Sequence, residues 1–202
     1  MKKMTLLFIF SIIINKVQSQ SLPDPNKYYY VTLIENNQVI EQPGHDNESL
    51  FPIKGTDGTV AMLGSVAKLI TTEKRNDDRQ KWKFIKKDDN IYSIVNKKYG
   101  AQYINVPFER TNRGETLISY WDMSGKNQNF YLIAALSNTF FISSASSGLV
   151  LSKENSTEKH CVGGTTVGEL ITTCSQTVNA NFVKQMGFTG KKNQQWKLVE
   201  AN

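Results

Sequence analysis

The sequence predicts an all-β chain in which one four-stranded unit is used three times, and two observations carry that prediction. The first is a glutamine two residues before an aromatic in Gln80-Lys81-Trp82, Gln128-Asn129-Phe130 and Gln194-Gln195-Trp196, each followed by an apolar-rich tail. The second is a pair of upstream segments that recur in the same order. One is Leu69-Ile70-Thr71-Thr72, Leu117-Ile118-Ser119-Tyr120 and Leu170-Ile171-Thr172-Thr173. The other opens each unit: Tyr30 to Ile34, Ile91 to Val95 and Phe140 to Ser144. A threefold repeat fixes architecture before any single site is considered.

Residues 1–19 read as a secretory signal peptide. Lys2 and Lys3 give the basic start, Leu6 to Ile14 is an apolar run too short to span a bilayer, and Val17-Gln18-Ser19 is the cleavage site. The remainder, 20–202, reads as one domain with repeats at roughly 27–87, 88–135 and 136–202. Within each repeat, β-branched and aromatic runs separated by Gly, Asn, Asp and Ser clusters argue strands. Each unit has an opening strand, a short strand after a turn, the Leu-Ile strand and the Gln-x-aromatic strand. In the first unit a long loop is expected over 43–59, punctuated by Pro43, Gly44, Gly55 and Gly58, before Val60-Ala61-Met62-Leu63. The third unit carries an insertion placed before Gln194, with a long loop over 153–190. Asn179 to Met186 is its best stretch for a short helix. Three such units close into a barrel capped by hairpins. One large aromatic per unit, Trp82, Phe130 and Trp196, is expected at the bottom of that barrel. The three glutamines are expected to bond backbone in their own loops.

Charge excludes some partners. The chain carries 24 basic and 18 acidic residues, a formal +6, and loss of Lys2, Lys3 and Lys16 with the leader takes +6 to +3. That is no nucleic-acid signature, and no later run is apolar enough to span a membrane. Lysines cluster at Lys81, Lys83, Lys86 and Lys87 and at Lys191, Lys192 and Lys197, where a solvated strand face is the expectation and a heparin-like partner the lesser one. Cys161 and Cys174 are the only cysteines, and in a secreted chain they are expected to pair across a hairpin, a staple worth ~2–3 kcal/mol. Asn47-Glu48-Ser49 and Asn155-Ser156-Thr157 are N-glycosylation sequons expected in surface loops. His45 and His160 are the only histidines, and neither stands in a metal-ligand or nucleophile motif. No phosphate-cradling glycine loop is present. No enzyme activity, cofactor or metal site is therefore expected.

The triplicated Gln-x-aromatic motif behind a leader resembles the ricin-B-type β-trefoil lectins, over essentially the whole mature chain. The resemblance implies a β-trefoil, three four-stranded repeats with pseudo-threefold symmetry, and up to one shallow sugar site per unit. Such a site combines an Asp, an aromatic platform and the Asn-Gln pair. The middle unit matches best: Trp121 stands at the platform, Asn127 and Gln128 are the amide pair, and Asn105 replaces the Asp. That replacement loses charge-assisted hydrogen bonds. The third unit keeps Asn193 and Gln194 but has Ser152 for the Asp, with Phe182 and Phe188 as platform candidates. The first unit has Arg79, Glu41 near the Asp position and Glu73 at the platform, and reads as structural.

The resemblance thus implies a secreted carbohydrate-binding protein with its main site in the middle repeat and glycans or glycoproteins as partners. The alternative is a secreted β-trefoil protease inhibitor or other protein-binding module with degenerate sugar positions, in which the long loops do the work. Trp121, exposed in a turn-like stretch, favours the first. The missing Asp residues favour the second.

Overall fold

The computed structural model describes residues 22–44, 48–54, 60–166 and 169–201, and side chains within these except at 48–54, 60–66, 159–166 and 169–178. The leader, His45 and Asn47 lie outside the described residues, as do the side chains of Cys161, Cys174 and His160.

Six strands close a barrel. β1 (Tyr29–Leu33), β6 (Trp82–Asp88), β7 (Ile91–Asn96), β10 (Phe130–Ala134), β11 (Phe140–Ser144) and β14 (Trp196–Glu200) each pair antiparallel with the next, and β14 returns to β1. Closure removes the open edges of a sheet. Each repeat adds a hairpin: β2 (Val39–Glu41) with β5 (Ile70–Thr72), β8 (Gln102–Asn105) with β9 (Ile118–Trp121), and β12 (Val150–Thr166) with β13 (Glu169–Met186). The result is a β-trefoil, and no α-helix occurs among the described residues. β3 (Glu48–Lys54) and β4 (Val60–Lys68) form a further hairpin in the first unit; β3 lies inside the 43–59 stretch expected to be loop, and β4 begins just after it.

The pseudo-threefold axis is visible in three backbone hydrogen bonds. Leu69 N–H donates to Leu117 O (2.9 Å), Leu117 N–H to Val183 O (2.8 Å) and Val183 N–H to Leu69 O (2.9 Å). This triangle corrects the repeat alignment. The third counterpart of Leu69 and Leu117 is Val183, not Leu170. Leu69 to Gln80, Leu117 to Gln128 and Val183 to Gln194 are the same eleven-residue step. The insertion therefore precedes Val183 and extends the β12–β13 hairpin. Neither a loop over 153–190 nor a helix over Asn179–Met186 forms. Asn179 to Met186 pairs antiparallel with β12 from Thr157↔Asn179 to Val150↔Met186, and Phe182 and Val183 are buried against the core, so the stretch is strand. Asn155 likewise sits exposed on β12 rather than in a loop, its amide donating to Asn181 Oδ1 (3.2 Å).

Trp82, Phe130 and Trp196 are fully buried in a core with Leu33, Leu69, Leu117 and Val183. The indole N–H groups of Trp82 and Trp196 donate to Ile40 O (2.9 Å) and Leu151 O (3.1 Å). Each glutamine before them closes its loop identically. Gln80, Gln128 and Gln194 donate from Nε2 to the carbonyls of Glu73, Trp121 and Gly187 (2.9, 2.7 and 2.8 Å). They accept at Oε1 from the N–H groups of Arg75, Met123 and Thr189 (2.7, 2.8 and 2.8 Å). A buried amide satisfied at both ends stiffens the loop without a net polar penalty. This explains why the motif survives in units whose other polar positions differ.

Candidate functional site

The middle unit is the one without an inserted hairpin, and its β8–β9 connection folds into a wall instead. β8 ends at Asn105, Val106 follows, and Pro107–Glu109 make one 3-10 turn. Phe108 and Glu109 both stand at positive φ, 53° and 55°. Two successive non-glycine residues in the left-handed region are costly, and such outliers cluster at ligand sites. Opposite them, β9 leads through Asp122–Gly125 into a second 3-10 turn, Lys126–Gln128. Between these walls lies a cleft of about 320 Å³ lined by Asn105, Phe108, Glu109, Tyr120, Met123 and Asn127, with Pro107, Ile118 and Gly125.

Polar groups converge on its floor. Asn105 and Asn127 are both buried. Asn127 Nδ2 donates to Asn105 Oδ1 (3.2 Å) and to Val106 O (3.1 Å). That leaves Asn127 Oδ1 and Asn105 Nδ2, an acceptor and a donor, without partners among the described residues. The exposed Glu109 carboxylate, also in no ion pair among the described residues, stands on the rim. Gly125 lets these groups meet: a Cβ there lies 2.3 Å from Asn127 Oδ1 and 3.4 Å from Glu109 Oε1.

The other predicted site residues fall elsewhere. In the β8–β9 register Asn105 faces Ile118, Tyr103 faces Tyr120 and Gln102 faces Trp121. Successive residues of a strand point to opposite sides. Tyr120 therefore shares the cleft side with Ile118, and Trp121, about half exposed, does not line the cleft. Gln128 lies beneath it, both ends of its amide spent on Met123 and Trp121. In the third unit Asn193 Nδ2 donates to Ser152 Oγ (3.0 Å), Lys153 O (3.3 Å) and Glu154 Oε1 (3.2 Å). Gln194 holds its own loop. The positions matching Tyr120 and Trp121 are Met186 and Gly187, so no platform stands there. Phe182 is buried, and Phe188 packs edge-on against Phe141 at 4.8 Å. In the first unit the buried Glu41 carboxylate is consumed by Gln80, Thr72 and Arg75 at 2.8, 2.5 and 2.6 Å. Glu109 and Phe108 were invisible to the repeat because they sit in a connection only this unit has. Tyr120 was readable from strand alternation.

The ricin-type beta-trefoil lectin domain-like family matches residues 78–165, which contain the whole cleft. The fold is that of the ricin-type β-trefoil lectins. Among solved structures the chain resembles ThreeFoil, a designed 3-fold symmetric protein, with TM-score 0.62 at 20% identity over 85% of this chain and 97% of that one. It resembles a Macrolepiota procera ricin B-like lectin in complex with lactose, with TM-score 0.58 at 14% identity over 88% and 98%. It also resembles an exo-beta-1,3-galactanase from Clostridium thermocellum, with TM-score 0.61 at 19% identity, where it spans 89% of itself but only 31% of the larger chain. No curated protein sequence matches it.

Proposed function

We propose that this β-trefoil is a secreted lectin whose sugar site is the cleft of the middle unit. One observation carries the reading: the free Asn105 and Asn127 amide atoms line one cleft with the Glu109 carboxylate and Tyr120. A sugar ring needs an apolar wall for its C–H face and fixed donors and acceptors for its hydroxyls. Tyr120, Phe108, Ile118 and Met123 supply the wall. Glu109 supplies the charged acceptor that Asn105 cannot, and it favours a neutral sugar over an acidic one. Glycoside hydrolysis needs two flanking acids, and Glu109 is the one acid lining the cleft, so the reading is binding rather than catalysis. The volume is at the small end for ligand pockets, so affinity per site is weak.

Titration with lactose and a glycan array test this. Asn127→Ala and Tyr120→Ala are expected to weaken binding at least tenfold, and Gly125→Val to do the same by pushing the Asn127 amide aside. Trp121→Ala is expected to leave binding intact. Loss in Trp121→Ala with retention in Asn127→Ala places the sugar outside the cleft and overturns the assignment. The competing module reading, a protease inhibitor or similar, draws on the β3–β4 and β12–β13 hairpins, which lie against each other. A wild type that binds no glycan shifts the weight to them.

Secretion, the leader, the Cys161–Cys174 bond and glycosylation at Asn47 and Asn155 belong to the same proposal. Support for the bond comes from register: His160 pairs with Gln176 and Val162 with Thr173, so the bulge sets Cys161 opposite 174–175. Mass analysis of secreted protein is expected to show no free thiol and a chain starting near Gln20.

A further inference from the structure

Several basic side chains gather around Tyr28 and Tyr30 in the first unit, sharing no residue with the cleft. Lys81 and Lys97 share a single carboxylate oxygen, Asp78 Oδ1, at 2.9 and 3.2 Å. Their hydrogen bonds hold the Asp78 carboxyl below the usual range. Lys97 Nζ also stands 5.5 Å from the centre of the Tyr28 ring, and Lys83 Nζ stands 5.2 Å from the same ring. Lys74 Nζ lies 4.8 Å from the centre of Tyr30. Beside this strip, Arg75, Lys81 and Lys98 line an open hollow of about 530 Å³ with Asn76, Asp77 and Asp78. The two acids lining it, Asp77 and Asp78, are already committed. Asp77 is gripped by Arg79 (2.6 Å), Asp78 by two lysines and Glu41 by Arg75. Lys74, Lys83 and Lys98 have no acidic partner among the described residues.

Surplus cations held in fixed places are the condition for binding a polyanion. Ammonium groups resting on ring faces are preorganised and lose little freedom when an anion arrives. We propose that this face, formed by Tyr28, Lys74–Lys83 and Lys97–Lys98, is a second ligand surface that binds an anionic polysaccharide bearing sulfate or carboxylate groups. A nucleic acid fits it less well. Base binding needs open aromatic faces, and ammonium groups already sit over Tyr28 and Tyr30. Groove reading needs a projecting helix or ribbon, and this face is built from the β5–β6 connection, the start of β6 and the turn after β7. The two surfaces then divide the sugar chemistry: the Glu109 cleft takes neutral rings and the lysine strip takes acidic chains. The strip shares no residue with the cleft, so the second proposal stands without the first.

The test is retention of the full-length secreted protein on immobilised heparin, with soluble heparin, desulfated heparin and a single-stranded DNA oligonucleotide as competitors. Wild type is expected to stay bound at ~0.15 M salt, where free surface charges are largely screened beyond about 8 Å. Lys74→Glu/Lys83→Glu is expected to weaken binding at least tenfold, and the neutral Lys74→Gln/Lys83→Gln to fall between. Lys191→Glu/Lys192→Glu, with the same charge change on the third unit, is expected to bind as wild type does, and so is Asn127→Ala. Unchanged thermal midpoints show that the variants fold. Wild type washing through at that salt overturns the proposal. So does equal weakening by the Lys191/Lys192 pair, which means net charge alone, or competition by DNA as strong as by heparin.

Discussion

Trp82→Ala is expected to cost about 3–5 kcal/mol of unfolding free energy, the range for removing a large buried aromatic. Trp82 is fully buried, lies in the same core cluster as Phe130 and Trp196, and donates its indole N–H to Ile40 O at 2.9 Å. Alanine removes the ring and orphans that carbonyl together. Trp82→Phe separates the two losses, because the middle unit already uses phenylalanine at this place. It keeps most of the packing and is expected to cost about 1–3 kcal/mol, the penalty for a buried acceptor without its donor. Trp196→Phe removes the matching bond to Leu151 O and is expected to cost a similar amount. Urea unfolding of the three variants checks the order. A cost below about 1 kcal/mol for Trp82→Ala is incompatible with a closed, well-packed barrel floor.

The same threefold logic decides what was legible in the sequence. The barrel and its four-stranded units were readable because burial on one side of each strand imposes a pattern on every copy. The glutamines were readable because one loop geometry recurs three times. The third repeat misled because Leu170-Ile171 imitates Leu69-Ile70 in composition, while the eleven-residue step to the glutamine belongs to Val183. Spacing reflects the geometry of the closed loop, whereas a dipeptide recurs by chance. The resemblance puts the platform at Trp121, and the turn-like stretch after it argues exposure. Period two along β9 puts Tyr120, not Trp121, beside Asn105. Glu109 was unreadable for a different reason. Its position depends on a left-handed turn at Phe108 that no repeat constrains.

The extended third hairpin has its own electrostatic anchor, and Glu158→Gln is expected to release it. Glu158 reaches from β12 to Lys68 and Lys184, each at 2.7 Å, and accepts a hydrogen bond from the Thr116 hydroxyl. All three charged side chains are largely buried, at 16%, 15% and 14% exposure. Lys68 pairs with Ile118, and Thr116 bridges to Lys184, so the carboxylate ties together the strands that meet at the threefold axis. Glu158→Gln takes away a charged partner that Lys68 and Lys184 share in a largely buried setting, and about 3 kcal/mol is the expected cost. Burial pushes the Glu158 carboxyl up, but hydrogen bonds from Lys184, Lys68 and Thr116 outweigh it and hold it below the ordinary 4.5. A depressed folded pKa means the stabilisation is complete above the unfolded value and fades as pH falls through the folded one. The gap between wild type and Glu158→Gln should therefore be widest near neutral pH and close below about pH 4.5. Replacing all three charged residues with apolar ones, Glu158→Leu/Lys68→Met/Lys184→Met, is expected to recover much of the loss, because it removes the buried charges as well as the bond. Hydrogen exchange across β12–β13 reads the release directly. A gap that persists unchanged into acid means that the hairpin is held by packing rather than by this carboxylate.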